Sequence, residues 1–158
     1  KKRYYFHAGP TASNLAIPPG DGNAEVVSEV TMNEPGRLIY AQPHMHLRGK
    51  DFEYRAIFPD GRQEILLSMP QYDFNWQSQY RLAQPRRLPA GTVVRVSGAF
   101  DNSPLNPYNP DPKSVVRFGE QTGDEMFIGY KRRVVCKECD ALPKTDPWDN
   151  WKPDKSFV

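Results

Sequence analysis

Thr92-Val93-Val94-Arg95-Val96-Ser97-Gly98-Ala99-Phe100 alternates with a period of two. Val94, Val96, Gly98 and Phe100 fall on one face of an extended chain and Arg95 and Ser97 on the other, as in a strand with one buried and one wet side. Working outward, the same reading gives short strands over residues 24–32, 38–42 running on through 46, 52–58, 64–68, 72–77 and 126–135. Turn chemistry separates them: Pro59-Asp60-Gly61-Arg62 joins two strands as a hairpin, and Asn33-Glu34-Pro35-Gly36 and Leu88-Pro89-Ala90-Gly91 punctuate similarly. Sixteen prolines and eleven glycines in 158 residues oppose long helices, because proline removes a backbone donor and clashes with the preceding turn. The expected fold is all-β, a single antiparallel, jelly-roll-like sandwich.

The sandwich is expected over residues 17–135, between an N-terminal arm (1–16) and an irregular tail (136–158). Between Asp101 and Gly123 the alternation stops, and a loop dense in proline, asparagine and aspartate takes over. Prolines stiffen such a loop and Asx side chains cap its backbone, so an ordered loop is expected. Along 72–77 and on to Tyr80, the residues Tyr72, Phe74, Trp76 and Tyr80 put their rings on one face, read as core. In the tail, Trp148 and Trp151 are the anchors to expect.

Twenty-one Lys and Arg against nineteen Asp and Glu leave a net charge of +2. With the two signs interspersed along the chain and no base-stacking motif, nucleic acid is not an expected partner. No apolar run of about 18 residues could span a membrane, and the opening Lys1-Lys2-Arg3-Tyr4-Tyr5 lacks the apolar stretch of a signal peptide. A chain that opens this way without methionine reads as a mature product or as part of a longer polypeptide.

Two of the three histidines stand one residue apart in Gln42-Pro43-His44-Met45-His46-Leu47-Arg48-Gly49-Lys50. On a strand, residues i and i+2 point to the same side about 7 Å apart, so both rings can converge on one ion. The other reading is a solvent-facing pair on an edge strand.

Together with this stretch, Asp101-Asn102-Ser103 and Gln121-Thr122-Gly123-Asp124-Glu125-Met126 resemble the copper type II, ascorbate-dependent monooxygenases, the family of peptidylglycine α-hydroxylating and dopamine β-monooxygenases. The likeness is to their C-terminal catalytic domain and runs over residues 17–135. It implies a copper held by His44, His46 and Met126, one ion per chain. Two imidazoles and a soft thioether without thiolate or carboxylate suit copper, and Cu(I) in particular; zinc more often recruits cysteine, a third histidine or a carboxylate. Without the resemblance, Met126 would read as core filling.

Asp124, Glu125, Gln121 and Asp101 are candidates to orient the imidazoles from behind. Arg48 and Lys50 are expected in surface pairs, and His7 as a hydrogen-bonded surface residue. Cys136 and Cys139 form a Cys-x-x-Cys pair. No second pair completes a zinc site, no histidine follows for haem, and no βαβ context supports a thioredoxin motif, so a local disulfide is expected, in a periplasmic or extracellular setting.

The resemblance further implies dioxygen-dependent C–H hydroxylation of a small organic substrate, with electrons from a second copper bound by three histidines in another domain. This chain has only His7 left once His44 and His46 are assigned. The second copper must then come from a partner domain or subunit. The rival expectation is a copper-binding or structural module with no monooxygenase activity of its own.

Overall fold

The computed structural model describes residues 3–7 and 9–135. The cysteine pair and the tail, with Trp148 and Trp151, lie outside the described residues. Among the described residues ten strands are present: β1 (Arg3–His7), β2 (Ala16–Ile17), β3 (Ala24–Thr31), β4 (Gly36–His44), β5 (Gly49–Ile57), β6 (Gln63–Met69), β7 (Tyr80–Leu88), β8 (Val93–Phe100), β9 (Val116–Arg117) and β10 (Ile128–Val135). They form one four-stranded sheet in the order β1-β10-β4-β7, a second in the order β3-β8-β5-β6, and a two-stranded ribbon of β2 and β9. Every strand pair is antiparallel. The chain is an all-β sandwich.

The alternation of β8 carries the core as its sequence dictates. Val94, Val96 and Phe100 are fully buried, while Arg95 and Ser97 are partly exposed. Gly98 belongs to the buried face because a Cβ there would come within 2.4 Å of the Asp51 carbonyl oxygen, at the point where the β5–β8 register shifts. From the opposite sheet, Leu38, Ala41 and Leu88 close the same core, and Gly129 lets β10 approach Val96 and Tyr54. At its centre the Phe127 ring stacks on Phe52 with centroids 4.7 Å apart and meets Phe100 edge-on at 6.1 Å.

The Pro59-Asp60-Gly61-Arg62 hairpin forms as expected, with Gly61 at φ +82° and the Arg62 N–H donating to the Asp60 carboxylate. Residues 72–77 do not form the expected strand. Asp73 accepts the backbone N–H of Asn75 with its carboxylate and that of Trp76 with its carbonyl, winding the segment into turns that leave Trp76 68% exposed. The missing strand is β7, hidden in the sequence by Gln84-Pro85 and by three arginines. Proline is tolerated there because β7 is an edge strand and its register on β4 shifts between Leu38 and Tyr40. The strand expected to run through residue 46 ends at His44, and the one expected from 126 begins at Ile128.

The loop after β8 is ordered by the side chains its composition supplies. Asp101, Asn106, Asn109 and Asp111 each accept the backbone N–H two residues ahead. Phe127→Ala should lower stability by about 3–5 kcal/mol, read as a shift of the urea unfolding midpoint at unchanged m-value. A loss under about 1 kcal/mol, the size of an ordinary surface substitution, would mean that the ring stack is not the centre of the core.

Candidate metal centre

His44 is the last residue of β4, and Met45 and His46 follow in irregular backbone. The alternation of sides nevertheless persists past the strand end. Met45 is fully buried, pinned by the Tyr72 hydroxyl, which accepts its N–H (3.0 Å) and donates to its carbonyl (2.7 Å). With Met45 turned inward, the His44 and His46 rings come together on the other side, centroids 5.1 Å apart and nearly perpendicular.

The hydrogen bonds fix which nitrogen of each ring carries the proton. The Gln77 amide donates through Nε2 to the Phe74 carbonyl (3.0 Å), so its Oε1 faces His44 Nδ1 (2.5 Å) and requires an Nδ1–H there. His46 Nδ1 faces the Asp124 carbonyl at 3.1 Å, which can only accept. Both rings therefore carry a proton on Nδ1, which leaves Nε2 as the nitrogen that can bind a metal. Burial holds His44 below the ordinary histidine range; the bond to Gln77 opposes this and the neighbouring His46 adds to it. A neutral ring at neutral pH follows.

Met126 is half-buried. The β10–β4 register ends at the pair Ile128–His44, so Met126 and His46 each lie two residues beyond that last pair, outside the strands. This segment is clamped from both flanks. Glu125 N–H donates to the Arg117 carbonyl and its own carbonyl accepts from Gly119, both at 3.1 Å. Its fully buried carboxylate accepts the backbone N–H of His46 and of Arg48, each at 2.7 Å.

Arg48, expected in a surface pair, is only 2% exposed. Its Nε donates to Asn102 (3.0 Å) and Asn109 (2.9 Å), one terminal nitrogen donates to the Gly123 carbonyl (2.9 Å), and the guanidinium stands 3.8 Å from Glu125. Asn102, also buried, donates onward to the Pro18 and Ser114 carbonyls. Burial pushes the Glu125 carboxyl up to about 7, against the pull of the Arg48 and His46 N–H groups and of the Arg48 charge. Lys50 is exposed, as expected, and bonds to Asn23 (2.7 Å).

The four residues expected to support the imidazoles divide. Asp124 does so, but through its carbonyl; Glu125 acts on the backbone of the histidine turn, not on a ring. The Asp101 carboxylate caps its own turn at Ser103, and Gln121 is exposed, its carbonyl accepting the Asp124 N–H. His7 lies in β1 opposite Lys131. The ring supports that sequence reading missed are Gln77 and Phe74, whose ring meets His46 edge-on at 5.9 Å. Phe74 also packs against the core, as its place in the pattern leads one to expect, whereas Gln77 reaches His44 from a segment that coils where a strand is expected. Among the described residues, no three His, Cys, Asp or Glu side chains gather to hold an ion, so a metal here must draw on the thioether or on solvent for its remaining ligands. No family model matches the chain, and no curated protein does.

Glu125→Ala should cost about 3–5 kcal/mol, since it strands a buried guanidinium and two N–H groups. Glu29→Ala, which removes the partly exposed partner of Arg95, should cost no more than about 1 kcal/mol. Thermal melts of the two variants make the comparison, and equal shifts would refute the special place given to Glu125. Independently, proton–nitrogen correlation spectra of the metal-free protein should report Nδ1–H for both His44 and His46; an Nε2–H signal from either ring would break the ligand assignment.

Proposed function

We propose that this chain is the mononuclear copper-binding sandwich of a copper- and dioxygen-dependent monooxygenase, and that it needs a second copper domain or subunit to turn over. The observation that carries this reading is the pair of neighbouring imidazoles, each held by its Nδ1–H with Nε2 left as the lone-pair nitrogen. His44, His46 and Met126 would hold the ion. A set of two nitrogens and one thioether fits copper better than zinc or a hard cation. When bound, copper would supply one-electron redox chemistry and an open coordination position.

The chain's own residues do the rest. Gln77 and the Asp124 carbonyl keep both rings aimed, because an imidazole whose Nδ1–H is already engaged cannot swing or switch tautomer without losing a bond. Phe74 shields one side of His46, and Glu125 ties the histidine turn to the segment bearing Met126. No third imidazole remains for a second copper beyond His7. This count favours an electron delivered from elsewhere, and it also supports the second reading, a copper-binding module in a larger complex without hydroxylating activity of its own.

Copper loading is the test. Competition against a chromophoric Cu(I) chelator should find one Cu(I) per chain in the unsubstituted chain and none in the His44→Ala/His46→Ala variant. Met126→Leu, which keeps the bulk, should weaken Cu(I) at least about tenfold while changing Cu(II) less, as expected from losing a soft ligand. Equal loading of all three proteins would end the proposal; loss in the histidine variant with no effect at Met126 would remove the thioether and leave a two-histidine site.

A further inference from the structure

Tyr72 and Phe74, which support the histidine turn, also line a cavity of about 400 Å³ that the copper reading does not use. One wall is the turn after β6 that carries Asp73, and the other is the loop after β8 that carries Asp101 and Tyr108; Lys50 of β5 lines it as well. The volume falls within the range of small-molecule sites, about 300–1,000 Å³.

Both walls are held by bonds that need no ligand. The Tyr72 N–H donates to the Lys50 carbonyl (2.9 Å), and its hydroxyl grips Met45. Gly49 lets that ring lie close, since a Cβ there would fall 2.6 Å from Tyr72 Cδ1. Across the cavity, the Asn106 side chain donates to the Asp101 carbonyl (2.9 Å) and accepts the Tyr108 N–H (3.0 Å). A cavity built in advance loses little binding free energy to the ordering of its walls.

The polar groups of the lining are mixed in charge and only partly engaged. Among the described residues, Asp73 Oδ1 takes both bonds from Asn75 and Asp101 Oδ1 takes the Ser103 N–H, so each carboxylate keeps Oδ2 free. Lys50 donates to the Gly22 carbonyl and to Asn23, which leaves one N–H of its ammonium. An anion here would meet the two carboxylates, and a cation would meet the ammonium. An apolar ligand would strip water from all three without replacing the lost bonds. What suits them is a neutral ligand that donates and accepts at neighbouring atoms, as vicinal hydroxyls do. Beside these groups stand the Phe74 ring and that of Tyr108, which is 68% exposed. The C–H bonds of a pyranose carry slight positive charge and pack on the negative face of an aromatic ring.

We propose that this cavity binds a neutral pyranose sugar. Its hydroxyls donate to the free oxygens of Asp73 and Asp101 and accept from Lys50, and its C–H face packs on Tyr108. Neither histidine lines the cavity, although Phe74 touches both it and the His46 ring. Sugar binding here does not depend on copper.

The test records proton–nitrogen correlation spectra of the metal-free, unsubstituted chain during titration with the methyl glycosides of glucose, mannose and galactose, and separately with tetramethylammonium and acetate. At least one glycoside should shift the backbone amides of Gly49, Asp73 and Tyr108 saturably, with a Kd of about 1 mM or tighter. That affinity should fall at least about tenfold in Tyr108→Ala and in Asp73→Asn, a change of about 1.4 kcal/mol or more. Tyr108 is exposed, and an asparagine at 73 can still accept the Asn75 N–H, so both variants should keep the fold, which the dispersion of the same spectra checks. Full affinity in either variant, or shifts confined to other residues, would overturn the site. No saturable shift from any of the three glycosides would overturn the class of ligand, and so would tighter binding of either ion. Because the protein is metal-free, a failure of copper loading leaves these results as they are.

Discussion

A guanidinium and a carboxylate buried in one small volume hold the irregular half of this molecule together. Arg48 and Glu125 come from segments far apart in the chain, and neither could stay out of water without the other's charge and a full set of hydrogen bonds. Their direct approach is loose, at 3.8 Å. The short bonds run instead from each group to the backbone of the other's surroundings: Glu125 to the N–H groups of His46 and Arg48, Arg48 to the Gly123 carbonyl and to the two asparagines. Three loops with little apolar surface of their own are thereby joined at one point. The same cluster connects the histidine turn to the segment before β10, so the candidate ligands inherit their relation from it.

The two imidazoles show how little regular structure such a site requires. Neither Met45 nor His46 is in a strand, yet the side-to-side alternation survives because the Tyr72 hydroxyl grips both backbone groups of Met45 and holds its side chain inward. Tautomer and ring direction are then decided by two acceptors, an amide oxygen and a backbone carbonyl. Neither acceptor is a carboxylate, so no negative charge stands on the far side of either ring.

Charge follows strand order as well. The net charge of +2 hides an uneven distribution: the strands of the β1-β10-β4-β7 sheet hold basic residues and no acidic ones, while those of the other sheet mix the two. Interspersed in the sequence, they are separated by strand order, and β10 pairing with β4 brings its Lys131-Arg132-Arg133 run into one sheet with the arginines of β7.

The sequence by itself determined the fold class, the hairpin at Gly61, the wet and buried sides of β8 and the self-capped loop after it. Each of these is a local matter of period two, turn stereochemistry or Asx capping, complete within a few residues. Tertiary structure alone decided that residues 72–77 coil while Tyr80–Leu88 pairs, because edge position and a register shift make room for Pro85. It alone buried Arg48, whose four partners lie more than fifty residues away. It also gave Gln77 and the Asp124 carbonyl to the two rings. Such contacts depend on which distant strands become neighbours, and no pattern within a single segment encodes that.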